Sequence, residues 1–240
     1  MNEAGALAGA ERHDLVWLAP GALAGARWAG HANCASLGLD AAKAARQLAS
    51  WVGRGHPLIV ARQPHGIPAG LLAVGLALPP QEGKHRLSFL VDASALRRRC
   101  RPPLLREARH AFPARWQALA GALLANAAID TAAPRIIGSA GMQLLTGEPC
   151  IGPDSDLDLL CTAHDWPQAL HIARALAAVA HAHPRPRLDG ELRAHDGHAI
   201  AWREVAARPA RLLVKGLHGL NLADESAVAA LFCSAVAVPA

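Results

Sequence analysis

The chain has 240 residues and 52% of them are hydrophobic, which is enough to bury the core of one large domain or two small ones and excludes intrinsic disorder. Its formal charge is +5, and arginine supplies nearly all of the cations, because lysine occurs only at positions 43, 84 and 215. Either an arginine-rich codon usage or a surface that binds phosphates or an acidic partner explains this bias. The five cysteines form no CxxC pair, so neither a disulfide framework nor a zinc site is indicated.

The chain shows no targeting or membrane segment. Its first residues lack a basic region followed by an apolar one, so we expect no signal peptide. Glycine, proline or a charge interrupts every apolar stretch before it reaches the roughly 18 residues that a membrane span needs. These features predict a cytoplasmic protein with no membrane association.

The first part of the chain, residues 1–92, has the pattern of a small α+β domain. Residues 1–12 are weakly patterned, and Asp40 then caps a predicted helix that runs to Val52 and ends at Gly53. Three strand-like runs follow, at residues 57–61, 70–78 and 85–91.

Residues 93–111 are rich in arginine and proline, which predicts a basic linker between two domains. This arginine cluster is either a solvated linker or a surface that guides an acidic carrier protein or binds the phosphates of a coenzyme. Nucleic acid is not expected as a partner, because the aromatic residue Trp116 near the cluster does not by itself give bases a platform for stacking.

Residues 112–240 have the pattern of a second α+β domain with a mixed sheet and flanking helices. Asp165, with Gln168 three residues later, forms a capping box at the start of a helix. Asp196-Gly197 is a hairpin turn signal between two predicted strands. The predicted helices are 113–128, 140–145, 165–180 and 224–234, and the predicted strands are 135–138, 156–162, 187–193, 199–205 and 212–217.

The segment Ser155-Asp-Leu-Asp-Leu-Leu160 places two carboxylates in an apolar strand. Alternate residues of a strand share a face, so Asp156 and Asp158 project together about 7 Å apart. Two such carboxylates repel each other unless a cation joins them, and hard divalent cations prefer oxygen ligands. The pair therefore predicts a metal site.

Other residues complete the predicted site. Asp189 and Glu191 share one face of a later strand, and a hairpin would lay that strand beside the first, so either acid is a candidate third carboxylate. Gly138-Ser139 ends a strand and opens a helix, a junction whose backbone N–H groups and hydroxyl can bind phosphate. Lys215 is either an edge residue or a phosphate contact.

Together these segments resemble the nucleotidyltransferase superfamily of DNA polymerase β. The closer likeness is to the malonate decarboxylase holo-acyl-carrier-protein synthases, also called phosphoribosyl-dephospho-CoA transferases. The matching segments are 12–18 (RHDLVWL), 102–104 (PPL), 138–139 (GS), 143–147 (QLLTG), 155–160 (SDLDLL), 187–192 (RLDGEL) and 201–204 (AWRE).

The resemblance implies a polymerase-β-like catalytic domain and a substrate, triphosphoribosyl-dephospho-CoA. Its prosthetic group would be transferred to a serine of the apo acyl carrier protein of malonate decarboxylase, with release of pyrophosphate. Asp156, Asp158 and Asp189, with Glu191 as the rival of Asp189, would bind Mg²⁺ or Mn²⁺. Gly138, Ser139 and Lys215 would bind the phosphates. The alternatives are another acceptor, such as the citrate lyase carrier protein or a small molecule, and a nucleotide-binding scaffold without catalysis.

Overall fold

The computed structural model describes residues 9–29, 40–83 and 85–233, which fall into two compact units. The first unit comprises Met1–Pro102, Leu145–Cys150 and Leu217–Gly219. The second comprises Pro103–Leu144, Ile151–Gly216 and Leu220–Ala240. Helices and sheets occur in both, so the predicted α+β class is confirmed. Within the described ranges, no helix is both long enough and apolar enough to cross a membrane.

The first unit is built on an antiparallel six-stranded sheet with the order β2-β5-β4-β3-β1-β6. Helix α1 (Ala41–Gly53) begins where predicted, because Asp40 accepts a hydrogen bond from the Lys43 backbone N–H at 2.6 Å. Its buried side chains include Leu48 and Trp51. The strands are β1 (Leu15–Leu18), β2 (Arg27–Trp28), β3 (Leu58–Val60), β4 (Leu71–Ala77), β5 (Arg86–Asp92) and β6 (Leu96–Cys100), and the 3₁₀ turns are Pro20–Gly25, Pro80–Glu82 and Ala93–Ala95.

The structure differs from the linker predicted over residues 93–111. Strand β6 carries three of the arginines and pairs antiparallel with β1 at the edge of the first sheet. The Arg98 guanidinium stacks 4.5 Å from the centroid of the Trp17 ring, and the Arg99 side chain lies 3.9 Å from Asp14. Charged side chains are common on edge strands, where they hinder pairing with other chains. A run of arginines is therefore compatible with an edge strand as well as with the linker that was predicted.

The second unit contains a six-stranded sheet with the order β12-β11-β10-β9-β8-β7. All neighbours are antiparallel except β8 and β9, which are parallel, so the sheet is mixed as predicted. Its strands are β7 (Arg135–Ile137), β8 (Leu157–Thr162), β9 (Leu188–Arg193), β10 (Ala199–Ala201), β11 (Leu212–Lys215) and β12 (Leu220–Ala223). The helices are α2 (Leu105–Ala108), α3 (Ala114–Ala125), α4 (Ala127–Thr131), α5 (Gly138–Thr146), α6 (Trp166–Ala182), α7 (Trp202–Ala207) and α8 (Glu225–Phe232), with a 3₁₀ turn at Arg109–Ala111.

The connection between β8 and β9 is not the predicted hairpin. The two strands are parallel, and a parallel pair needs a crossover, which helix α6 supplies. The helix cap at Asp165 is confirmed, because its side chain accepts a hydrogen bond from the Gln168 backbone N–H. The Gln168 side chain accepts from the His164 backbone N–H at 2.6 Å, one residue before the position that a capping box uses. The capping pattern and the apolar pattern predicted the helix. A helix between two neighbouring strands allows them to be parallel, and this consequence was missing from the prediction.

Two further boundaries differ from the predictions. The strand expected over residues 199–205 stops at Ala201, and Trp202 begins helix α7. The indole ring of Trp202 is buried, which fixes the start of this helix against the core. The closing helix α8 begins one residue after the predicted start, because Asp224 is its cap and accepts a hydrogen bond from the Ala227 backbone N–H at 2.9 Å. Position 234, the predicted end of that helix, and positions 1–8 of the weakly patterned start lie outside the described residues.

Alternation along β8 and β9 separates the core from the polar face of the second sheet. The side chains of Leu157, Leu159 and Cys161 belong to the hydrophobic core of this unit, as do those of Leu188 and Leu192. The intervening residues therefore point to the opposite face, and they include the acidic residues of the predicted site. Burial of the apolar residues of each strand therefore directs the intervening polar side chains to the opposite face.

Gly190 permits β9 to approach β8, which predicts a large loss of stability when it is replaced. Its φ is +134°, and a Cβ built at this position would overlap the backbone carbonyl of Leu159. Gly190→Ala should lower the free energy of unfolding in urea by about 3 kcal/mol or more. Gly121→Ala is the matched control, since a Cβ there meets nothing within 4 Å and the position lies inside helix α3. The control should gain up to about 1 kcal/mol, and equal stabilities for the two variants would refute the proposed close approach.

Candidate active site

Three carboxylates gather where β8 and β9 begin. Asp156 immediately precedes β8, Asp158 is the second residue of β8, and Asp189 is the second residue of β9. The parallel register pairs Asp158 directly with Asp189. Neighbouring strands lie about 4.8 Å apart, so the two side chains emerge side by side on the polar face. The structure thus brings together the three aspartates that the sequence predicted.

Arg187 bridges two of these aspartates. Its Nη2 donates to Asp189 Oδ2 at 2.9 Å, and its Nη1 lies 3.5 Å from Asp156 Oδ2. The other oxygen of Asp189 accepts a hydrogen bond from the Gly190 backbone N–H at 2.8 Å. The Arg187 side chain is 58% exposed, so this bridge lies at the surface of the site.

Helix α5 begins beside the carboxylates. Strand β7 runs antiparallel to β8 and pairs Ile137 with Asp158, so that Gly138 and Ser139 follow at the same edge of the site. Gly138 has a φ of +66°, and a Cβ there would overlap the Asp158 carboxylate. Glycine is therefore required twice over at this position, by the backbone conformation and by the side chain that it faces. Ser139 is half-buried in the first turn of the helix.

Glu191 and Lys215 form a separate ion pair. Glu191 lies opposite Leu160, two residues further along β9 than Asp189, and it is buried. The Nζ of Lys215, on β11, lies 2.9 Å from Glu191 Oε1. The pair gives the buried Glu191 carboxylate a cationic partner. Of the two acids that were candidates for the third carboxylate, Asp189 is the one beside Asp158.

Cys161 does not belong to the reactive face. It lies on β8 in the hydrophobic core, and complete burial raises the pKa of its thiol to about 12. The thiol is therefore protonated at neutral pH, and the thiolate is the nucleophilic form of cysteine. The chemistry of the site rests on its oxygen and nitrogen groups.

The donor set of the site suits a hard divalent cation. Carboxylate oxygens are the ligands that Mg²⁺ prefers. Asp156 and Asp189 face one guanidinium, whose two terminal nitrogens lie 3.5 and 2.9 Å from their Oδ2 atoms. The missing Cβ of Gly138 leaves the space that the Asp158 carboxylate occupies. In the part of the chain that the structure describes, no three His, Cys, Asp or Glu side chains converge as a ready-made metal site.

Two arginines lie on the same face as these acids and were not among the predicted site residues. Arg187, Asp189, Glu191 and Arg193 alternate along one segment, so the rule that found the acids also places the arginines beside them. Arg193 is buried at the carboxyl end of β9, whereas Arg187 is exposed at its start. Alternation was the available signal, and it was applied to the acidic residues alone.

Comparison with known protein families matches both halves of the chain. Residues 11–102 match the model of the phosphoribosyl-dephospho-CoA transferase MdcG N-terminal domain, and residues 104–226 match that of the MdcG C-terminal domain. The border between the two models falls beside the change of unit at Pro102 and Pro103. The fold and the site thus belong to a two-domain transferase.

Curated relatives agree over nearly the full length. A phosphoribosyl-dephospho-CoA transferase of Xanthomonas campestris pv. campestris (strain 8004) is 34% identical over 94% of this chain and 100% of its own. That of Bradyrhizobium diazoefficiens is 35% identical over 89% of this chain and 90% of its own, and that of Pseudomonas putida is 32% identical over 89% and 93%. No solved structure matches the chain. The chain belongs to the phosphoribosyl-dephospho-CoA transferase family.

The contact between Gly138 and Asp158 predicts a loss of activity when the glycine is replaced, together with a lower stability from the positive φ of this position. Gly138→Ala would displace the Asp158 carboxylate, and displacement of a reacting group by about 1 Å costs roughly a hundredfold in rate. Gly152→Ala is the control, because a Cβ there meets Ser155 Oγ at 3.7 Å, an ordinary contact. Transfer rates of both variants, with circular dichroism as the measure of folding, test this. Equal activity of the two variants would show that the Gly138 contact does not position Asp158.

Proposed function

We propose that this enzyme transfers the prosthetic group of triphosphoribosyl-dephospho-CoA to a serine of the apo acyl carrier protein of malonate decarboxylase, in the cytoplasm. Membership of the family supports the transferred group. The observation that carries the proposal is the set of three aspartates at the starts of β8 and β9, beside the first turn of helix α5. Such a set is suited to handling a triphosphate, because it can hold cations that offset the phosphate charges.

The proposed reaction is a substitution at phosphorus. The serine Oγ of the carrier protein attacks the α-phosphorus of the triphosphate, and a new O–P bond forms. The bond between the α-phosphorus and the bridging oxygen breaks, and pyrophosphate leaves with the electron pair. The serine proton passes to Asp189, which has one oxygen held by Gly190 and is partly exposed to solvent. The product is a phosphodiester between the serine and the ribosyl group.

The chain's own residues bind and orient the two substrates in this proposal. The backbone N–H groups of the first turn of α5 and the Ser139 hydroxyl bind the outer phosphates, since a helix N-terminus favours anions. Asp156, Asp158 and Asp189 would hold Mg²⁺, or Mn²⁺ in its place, which when bound would neutralise charge on the triphosphate and the leaving pyrophosphate. Lys215 acts indirectly, since its ion pair with Glu191 stabilises the strand that carries Asp189.

The first test of the proposed function removes single carboxylates. Asp156→Asn and Asp158→Asn should each lower the transfer rate by about a thousandfold or more. A neutral amide binds Mg²⁺ poorly, and the cation that is then lost would otherwise stabilise the negative charge of the transition state. Asp154→Asn is the control, since it is an exposed acid two residues before the site. Incorporation of the labelled prosthetic group into the malonate decarboxylase carrier protein, and into the citrate lyase carrier protein, measures both rate and acceptor. Activity within tenfold of the parent for both variants would contradict the assignment of these aspartates to a catalytic metal site.

The second test separates Asp189 from Glu191. Asp189→Asn should lower the turnover number by about a hundredfold or more, because the proton acceptor and third carboxylate are lost together. Glu191→Gln should act mainly on stability, because it leaves Lys215 without its ionic partner. Turnover measured beside urea unfolding distinguishes the two effects. If Glu191→Gln loses turnover and keeps its stability while Asp189→Asn does not, the roles of the two acids are reversed.

A further inference from the structure

The main chain of Arg187 is fixed in the sheet, whereas its side chain is free to move. The backbone carbonyl of Arg187 accepts a hydrogen bond from the Leu157 N–H at 2.9 Å, which ties the start of β9 to the start of β8. The side chain, in contrast, is 58% exposed and contacts its two aspartates at the surface. Exposed ion pairs of this kind are weak, because water competes for both partners. The guanidinium can therefore leave the aspartates without any change in the strands.

Asp189 keeps its position when the arginine leaves. Its Oδ1 is held by the Gly190 backbone N–H, and the Arg187 bridge uses Oδ2. Asp156, whose Oδ2 is 3.5 Å from Nη1, is held less closely. The oxygens that the guanidinium contacts are thus the oxygens that become available to another cation.

We propose that Arg187 is a movable counter-ion of the site: it neutralises Asp156 and Asp189 when substrate is absent, and turns to the triphosphate when a divalent cation takes its place. The inference rests on the proposed function. It assigns to Arg187 a positioning role that the acidic residues cannot perform.

Electrostatic forces favour Arg187 on the aspartates in one state of the site and on the triphosphate in the other. Without a cation, three neighbouring aspartates repel one another, and the guanidinium reduces that repulsion. A divalent cation between the same oxygens repels the guanidinium, while a triphosphate at the start of α5 attracts it. A guanidinium binds phosphate oxygens in a bidentate manner, which an ammonium group cannot do. When the triphosphate is absent, Arg187 therefore competes with the cation for the aspartate oxygens. When both are present, Arg187 strengthens the binding of the triphosphate.

These opposing effects define the experiment. Mn²⁺ serves as a paramagnetic probe, and its binding to the full chain is measured by electron paramagnetic resonance, first alone and then with inorganic tripolyphosphate. Arg187→Gln should bind Mn²⁺ alone about threefold more tightly, the scale of one exposed ion pair. It should bind tripolyphosphate in the presence of Mn²⁺ about tenfold more weakly, because a charge-assisted hydrogen bond is lost.

Two further variants make the test specific. Arg185→Gln removes the same charge two residues earlier, at an exposed arginine, and should change neither affinity by more than about twofold. Arg187→Lys keeps the charge and loses the planar fork, so it should bind Mn²⁺ alone as the parent does and tripolyphosphate several-fold more weakly. This variant also tests the inference if Arg187→Gln fails to fold, which circular dichroism would reveal.

The outcomes separate this inference from the proposed function. If Mn²⁺ binds the parent and is lost in Asp156→Asn and Asp189→Asn, the metal site stands. If Arg187→Gln then binds Mn²⁺ no more tightly, or binds both probes more weakly, Arg187 is a fixed support of the aspartates and the inference is overturned. If the parent binds no Mn²⁺, or binds it independently of these aspartates, the metal site of the proposed function fails and the inference fails with it.

Discussion

The parallel pairing of β8 with β9 is the constraint on which the site depends. Its register sets Asp158 beside Asp189 and, by alternation, the leucines on both sides of them into one core. A shift of one residue would turn the aspartates into that core and the leucines into solvent. The apolar residues thus fix the register far more strongly than the carboxylates oppose it. Packing of the core is what holds like charges together at the strand starts.

Two glycines permit that arrangement at close range. Gly190 allows β9 to approach the backbone of β8 at Leu159, and Gly138 allows helix α5 to begin against the Asp158 carboxylate. A side chain at either position would separate elements that now touch. The site is therefore compact because neither position carries a side chain. One of the two contacts holds strand against strand and the other holds a helix start against a carboxylate, and both lie in regular elements, which suits a site that must keep charged groups in a defined arrangement.

The sequence indicated the family and the pairing of acidic residues better than it indicated the connections between strands. Alternation placed Asp156 with Asp158 on one strand face and Asp189 with Glu191 on another, and the motifs around them indicated the family. Strand direction was missed, because alternation is the same in parallel and antiparallel strands and only the intervening helix α6 distinguishes them. Strand β6 was missed because its stability comes from pairing with β1 and from stacking of Arg98 on Trp17, which are non-local contacts. The start of α7 at Trp202 likewise depends on burial of the indole ring.

The crossover through α6 also determines when the site comes into existence during synthesis. Asp156 and its bridging partner Arg187 are 31 residues apart, and nothing short of the completed β8–α6–β9 unit brings them together. A nascent chain that ends before α6 can pair β8 with β7, but it lacks β9 and, with it, Asp189 and Arg187. Because synthesis proceeds from the amino terminus, the three aspartates come together only after β9 has been made.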